Sequence, residues 1–198
     1  VHPGFGCLSE NSGFGRACVD NDLVFDGPPA DVIDKTGDKA QAKGEMRAAG
    51  VPLVPGTEGA ATLEQVRVAA GELGFPVLLK ATAGGGGKGM RVVDRPEDLE
   101  AAYGAASAEA EAAFGDGAMY LEKALVPARH VEIQVLCDGQ GGVLTLGERE
   151  CSIQRRHQKL IEESPSVALT SETREAMEAS VERACRQLGY VNAGTFEF

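Results

Sequence analysis

The chain has 198 residues, with 19 Lys plus Arg against 30 Asp plus Glu and a formal net charge of −11. That acidic balance argues against a nucleic-acid partner, because phosphate-backbone binding needs a basic face. Hydrophobic residues at 43% and charged residues at 25% are ordinary globular values, and no apolar run approaches the ~20 residues of a bilayer helix, which argues against a membrane-embedded chain.

The opening Pro3, Gly4, Gly6, Gly13 and Gly15 read as loop, and Leu23-Val24-Phe25 as a short strand stopped by Gly27-Pro28-Pro29. Lys39 to Ala49 is rich in Ala, Lys, Glu and Met, and Gly50-Val51-Pro52 closes it as a helix end. Val51 to Pro55 is then a linker. Thr62-Leu63-Glu64-Gln65 has capping-box spacing and predicts a helix closing at Leu73-Gly74. Phe75 to Lys80 is a strand-length apolar run ending in a charge, and Met90-Arg91-Val92-Val93 is a second strand. Pro96 leads into an Ala/Glu helix up to about Phe114.

Three strand-like runs follow at Met119–Leu121, His130–Leu136 and Val143–Leu146. The middle one alternates, with Val131, Ile133 and Val135 on one face and Glu132 and Gln134 on the other, and Asp138 to Gly142 reads as a hairpin turn. Met177, Val181, Ala184, Cys185 and Leu188 fall at helical spacing before Gly189, and Thr195-Phe196-Glu197-Phe198 is an alternating strand. The organisation is therefore α+β: an α/β start at 1–52, a small mixed segment at 53–124, and a strand-rich end at 125–198. Five cysteines without a CxxC pair fit a reducing, cytoplasmic setting. The first residues carry no targeting signal, and the last ones stop inside a strand, so the chain is expected to be part of a longer protein.

Gly84-Gly85-Gly86-Gly87-Lys88-Gly89 is the strongest local signal, since consecutive glycines let backbone N–H groups approach phosphate oxygens and the Lys adds charge. It matches neither a Walker A loop nor a strand-to-helix dinucleotide turn, because a strand follows it. It is a glycine loop between two strands: a flap over a nucleotide, or a plain hairpin tip. Lys80 ends the preceding strand within reach of the same phosphates, or is an ordinary strand-end lysine. The block Glu148 to Lys159 concentrates charge, which suits either an anion site or an internal ion-pair network with Glu162 and Glu163. His130 and His157 lack zinc-ligand spacing, which argues against a His-based metal site. Cys151 has no recognisable base partner and reads as a small buried residue. Glu197 offers a hard oxygen of the kind Mg²⁺ uses, or is a surface carboxylate.

Together these stretches resemble the biotin carboxylases of the ATP-grasp superfamily. The resemblance rests on His2-Pro3-Gly4-Phe5-Gly6, Leu8-Ser9-Glu10-Asn11, Gly37-Asp38-Lys39, Val54-Pro55-Gly56, Lys80-Ala81 and the glycine loop through Val93. It continues in Tyr120-Leu121-Glu122-Lys123, Arg129 to Val135, Cys151 to Lys159 and Gly194-Thr195-Phe196-Glu197-Phe198. It runs nearly end to end.

What the resemblance implies is a partial ATP-grasp fold: the end of an N-terminal α/β domain (1–52), a mobile lid (53–124) and the start of the C-terminal subdomain (125–198). It implies that Lys39, Lys80, Gly85, Gly86, Gly87, Lys88, Gly89 and Met90 bind ATP phosphates, and that Glu122, Lys123 and Leu125 bind the adenine edge. His130 and Gln154 would contact ribose or phosphates, His157 would lie by the γ-phosphate, Lys159 would help hold bicarbonate, and Glu197 would ligate Mg²⁺ (or Mn²⁺). Biotin on a carrier protein would be carboxylated through carboxyphosphate, with a carboxyltransferase and a homodimer as partners. The family's remaining catalytic residues lie beyond the last matched strand, so this polypeptide alone is expected to be inactive. A carbamoyl-phosphate synthetase-like ligase, or a nucleotide-binding piece without turnover, are the alternatives.

Overall fold

The computed structural model describes residues 1–4, 6–37, 39–83, 89–155 and 158–198, with backbone alone for 39 and 40. The described residues form two compact units: Val1–Pro52 with Arg129–Gln154 and Lys159–Phe198, and Leu53–Ala128 with Arg155–Gln158. Among them no helix is long and apolar enough to cross a membrane.

The second unit is a three-stranded antiparallel sheet backed by two helices. Its helix α4 (Leu63–Leu73) begins at the expected capping box: Thr62 Oγ1 accepts from Gln65 N–H and Gln65 Oε1 accepts from Thr62 N–H at 2.8 Å. Strand β1 (Val77–Ala81) lies between β2 (Met90–Val93) and β3 (Met119–Lys123). Its alternate residues Val77, Leu79 and Ala81 are buried, as the period of two requires. They pack with Val66, Ala70 and the Ala106–Ala110 stripe of α5 (Leu99–Phe114), whose small side chains permit close approach to the sheet. A 3-10 turn at Pro96–Asp98 leads into α5, which ends at the left-handed Gly115.

In the first unit the order is α1 (Ser12–Asp20), α2 (Ala30–Gly37), α3 (Lys39–Ala48), β4 (Val131–Cys137), β5 (Val143–Arg155), β6 (Gln158–Glu163), α6 (Ser171–Leu188) and β7 (Asn192–Glu197). The strands form one sheet in the order β6-β5-β4-β7. Ile133, Val135 and Cys137 pack beneath Val181 and Cys185 of α6, with Tyr190 and Phe196 at the edge. The opposite face of β4 and β7 is polar, and it carries the groups described below.

Three expectations from sequence do not hold. The glycine-rich opening contains α1, capped by Asn11, whose Oδ1 accepts from Phe14 N–H at 2.8 Å; Gly15 is a helix residue there, not a turn, and a Cβ on it would stand 3.7 Å from the side chains of Phe25 and Ala30. Leu23–Phe25 is not a strand, because Leu23 N–H bonds back to the α1 carbonyl of Cys18 and, among the described residues, the remaining backbone pairing of this stretch is with Val1. Finally, β5 runs on to Arg155 instead of stopping at Leu146, which puts much of the charged block on a strand. Helix α2 was not anticipated either.

Candidate active site

In the second unit, the β1–β3 register opposes Lys80 to Tyr120 and Leu78 to Glu122. Lys80 and Glu122 are thus diagonal neighbours on one face, and Lys80 Nζ donates to Glu122 Oε2 at 2.9 Å. The same ammonium lies 5.8 Å from the centre of the Tyr120 ring. Burial opposes the Lys80 charge, but Glu122 and Tyr120 outweigh it and hold the ammonium above the ordinary lysine range. Met90 faces Lys80 across the β1–β2 ladder. Lys123 Nζ donates to the Gly74 carbonyl at 2.9 Å, and Leu125 is exposed.

Gly89 closes the way into β2 with φ +66°, and a Cβ there would stand 2.8 Å from the Ala81 Cβ, so both conformation and space demand glycine. Gly56 is constrained differently. It forms a bridge to Glu122, and a Cβ would meet the Leu121 carbonyl at 2.1 Å, which gives the Val54-Pro55-Gly56 motif a packing reason. Of the residues expected to bind phosphates, Gly85, Gly86, Gly87 and Lys88 lie outside the described residues, as do His157 and the side chain of Lys39.

The first unit gathers a second group. Glu132 on β4 is opposite Glu197 on β7 and Arg149 on β5. Glu132 is 2% exposed, yet it is ionised and fully engaged: Arg149 Nε donates to Oε1 at 2.6 Å and Lys159 Nζ donates to Oε2. Burial pushes its pKa up, and the two cations override that to leave it below the usual carboxylate range. Lys159 also donates to Glu197 Oε1 at 2.9 Å. Burial disfavours the Lys159 charge, but the two carboxylates hold it well above the ordinary lysine value.

His130 completes the group. Gln154 Nε2 donates to the Cys151 carbonyl at 2.7 Å, which fixes the amide, and stands 2.7 Å from His130 Nδ1. The amide N–H therefore points at Nδ1, and the ring proton belongs on Nε2. That buried Nε2 is 3.4 Å from Glu197 Oε1 but poorly aligned, and among the described residues it makes no hydrogen bond. His130, Glu132 and Glu197 present ligand atoms within 4.8 Å of one another. Sequence spacing gave no hint of this, because strand alternation and cross-strand register bring the three together, not a helical ligand motif.

The charged block divides by strand face. Glu148 and Glu150 turn away from this cluster: Arg174 binds both oxygens of Glu148, and Ser166 donates to each carboxylate. Arg149, by contrast, turns toward the cluster, where Glu162 also stands 3.9 Å away. Both faces of the block are thus engaged in ion pairs, and one of these ties Arg149 to Glu162 as the ion-pair reading of the block expects. Glu132 and Arg149 were missed as site residues. The available signal was alternation, which puts 130, 132 and 134 on one face of β4. Cys151 is buried and burial raises its thiol pKa, which suits a packing role.

Two family models match the chain: the carbamoyl-phosphate synthase L chain, ATP binding domain, over residues 38–198, and the biotin carboxylase N-terminal domain over residues 1–33. Biotin carboxylase 1 of Bacillus subtilis (strain 168) is 50% identical over 100% of this chain and 44% of its own length. A crystal structure of a biotin carboxylase–β,γ-ATP complex from Campylobacter jejuni superposes with TM-score 0.95 at 50% identity, covering 100% of this chain and 44% of that one. The biotin carboxylase domain dimer of Hydrogenobacter thermophilus 2-oxoglutarate carboxylase, solved with MgADP, ADP and bicarbonate, gives TM-score 0.94 at 49% identity with the same coverage. The chain spans less than half the length of these relatives.

Proposed function

The chain belongs to the biotin carboxylase family, and from that premise we propose that it is the ATP-binding part of a ligase that uses ATP and bicarbonate to carboxylate biotin on a carrier protein. The observation that carries the proposal is Lys159, an ammonium held between buried Glu132 and exposed Glu197 on a polar sheet face. A cation presented beside a solvent-facing carboxylate suits a site that handles a small oxyanion next to a metal-bound phosphate.

In this proposal Lys80 and Lys39 hold phosphate oxygens, and the glycine loop through Gly89 adds backbone N–H donors. The backbone and side chains of Glu122, Lys123 and Leu125 receive the adenine edge. Since the Glu122 carboxylate already binds Lys80, it orients that lysine. His130 and Gln154 face ribose or phosphate, His157 the γ-phosphate, and Lys159 the bicarbonate. A bicarbonate oxygen attacks the γ-phosphorus and the bond to ADP breaks; carboxyphosphate then splits into CO₂ and inorganic phosphate, the biotin ureido nitrogen bonds to the CO₂, and its proton passes to the phosphate.

Glu197 fits a magnesium ligand: it is a hard-oxygen donor with an exposed side chain, and Mg²⁺ keeps most of its waters and needs only one or two protein carboxylates. When bound, the ion (or Mn²⁺) neutralises phosphate charge. A biotin carrier and a carboxyltransferase are the partners this activity requires, and a homodimer is consistent with the relative solved as a domain dimer. A cytoplasmic setting accompanies the proposal.

A second reading, a carbamoyl-phosphate synthetase-like ligase, is favoured by the family model over residues 38–198. Initial-rate ADP release by the full-length protein separates the two. Turnover that needs both bicarbonate and biotin supports the first; bicarbonate-dependent turnover indifferent to biotin supports the second. Titration calorimetry with Mg-ATP adds a direct test, since Lys80→Ala should weaken binding about tenfold if it contacts phosphate.

A further inference from the structure

Arg149 is tied to three strands at once. From β5 its Nε donates to Glu132 Oε1 at 2.6 Å and its Nη1 to Gln134 Oε1 at 3.1 Å, both on β4, while Nη2 reaches Thr195 Oγ1 of β7 at 3.5 Å. Glu162 of β6 is at the edge of ion-pair range, 3.9 Å away. A planar guanidinium can satisfy these directions together, which a lysine ammonium on the same stem cannot.

The consequence concerns charge. Three carboxylates, Glu132, Glu197 and, at the edge, Glu162, face two cations, Lys159 and Arg149, so the cluster already leans negative and Arg149 limits that excess. Without Arg149, Lys159 alone would answer these carboxylates, and the neighbourhood of its ammonium would be more strongly negative. Glu132 is buried, so little water would screen that charge. With Arg149 on one oxygen of Glu132, Lys159 needs to answer only part of that carboxylate and keeps attraction to spare for an incoming anion.

Building on the proposed role of Lys159 in holding bicarbonate, we infer that Arg149 is a positioning residue for anion capture: it neutralises Glu132 from the far side and thereby keeps Lys159 available to the oxyanion. Arg149 does not itself touch the anion. Its effect therefore falls on bicarbonate affinity and spares the nucleotide.

The test is steady-state ADP release by the full-length protein, with bicarbonate varied at saturating Mg-ATP and the reverse. Arg149→Gln is expected to raise KM for bicarbonate about tenfold while KM for ATP stays within about twofold. Arg149→Lys, which keeps the charge but loses the fork, should raise it only about threefold. Arg149→Gln combined with Glu132→Gln restores the original net charge of the cluster and should recover much of the loss, an outcome a merely structural arginine does not predict. An unchanged bicarbonate KM in Arg149→Gln, or equal rises in both KM values, overturns the inference. Should Arg149→Gln not fold, Arg149→Lys decides: a rise confined to bicarbonate supports the role and an unchanged KM overturns it. Absence of bicarbonate-dependent turnover in the unsubstituted protein overturns the functional proposal and this inference with it, a result distinct from normal turnover with an insensitive variant.

Discussion

Lys80 and Glu122 meet diagonally across β1 and β3, Nζ to Oε2 at 2.9 Å, with the carboxylate side chain only 9% exposed. A buried carboxylate that loses its cation keeps its desolvation cost and gains nothing in return. Lys80→Ala should therefore destabilise the protein by about 2–3 kcal/mol, and Lys80→Ala with Glu122→Gln by clearly less. Urea unfolding of the single and double variants measures this; equal losses in both would show that the pair is not coupled.

Gly89 should not tolerate a side chain. With φ +66° and Ala81 in the way at 2.8 Å, Gly89→Ala is expected to cost about 1–3 kcal/mol. Thermal unfolding would show a lower Tm, whereas Gly104→Ala, in α5 with open space around its Cβ position, should raise it slightly.

Acid should weaken the first unit through Glu148. Arg174 holds this carboxyl below its usual value of 4.5, against a smaller opposing effect of burial. A depressed carboxylate contributes stability that is fully present above pH 4.5 and lost as pH falls through its lower, folded-state pKa. Arg174→Met removes that contribution, leaves Glu148 buried without its cation, and should shift the acid unfolding midpoint upward. An unaltered acid midpoint in Arg174→Met would contradict this account.

The cysteines should differ sharply in reactivity. Cys7 is exposed, while Cys18, Cys137, Cys151 and Cys185 are buried, and burial first, then Cys137, pushes the Cys185 thiol up to about 12. Iodoacetamide at pH 8 should label Cys7 in the native chain and reach Cys185 only after denaturation. Rapid native labelling of Cys185, read by peptide mass, would show that α6 opens from the sheet.

Local chemistry was legible in the sequence. The Thr62 capping box, the Gly74 and Gly189 helix ends, and the alternation of β4 and β7 all appear in the structure where residue types placed them, because these features depend on contacts a few residues apart. The family motifs were legible for the same reason, as short ordered strings. What the string could not reveal was α1 behind its glycines, the continuation of β5 through the charged block, or the meeting of Glu132 with Glu197, Arg149 and Lys159. Those depend on which strands pair and in what register, and register is decided when the apolar faces of β4 and α6 bury each other. Sequence by itself therefore determined the helix caps, the strand periods and the family. Only the tertiary structure decided which charges face one another, since a one-residue slip in pairing would have sent every one of them to the opposite face.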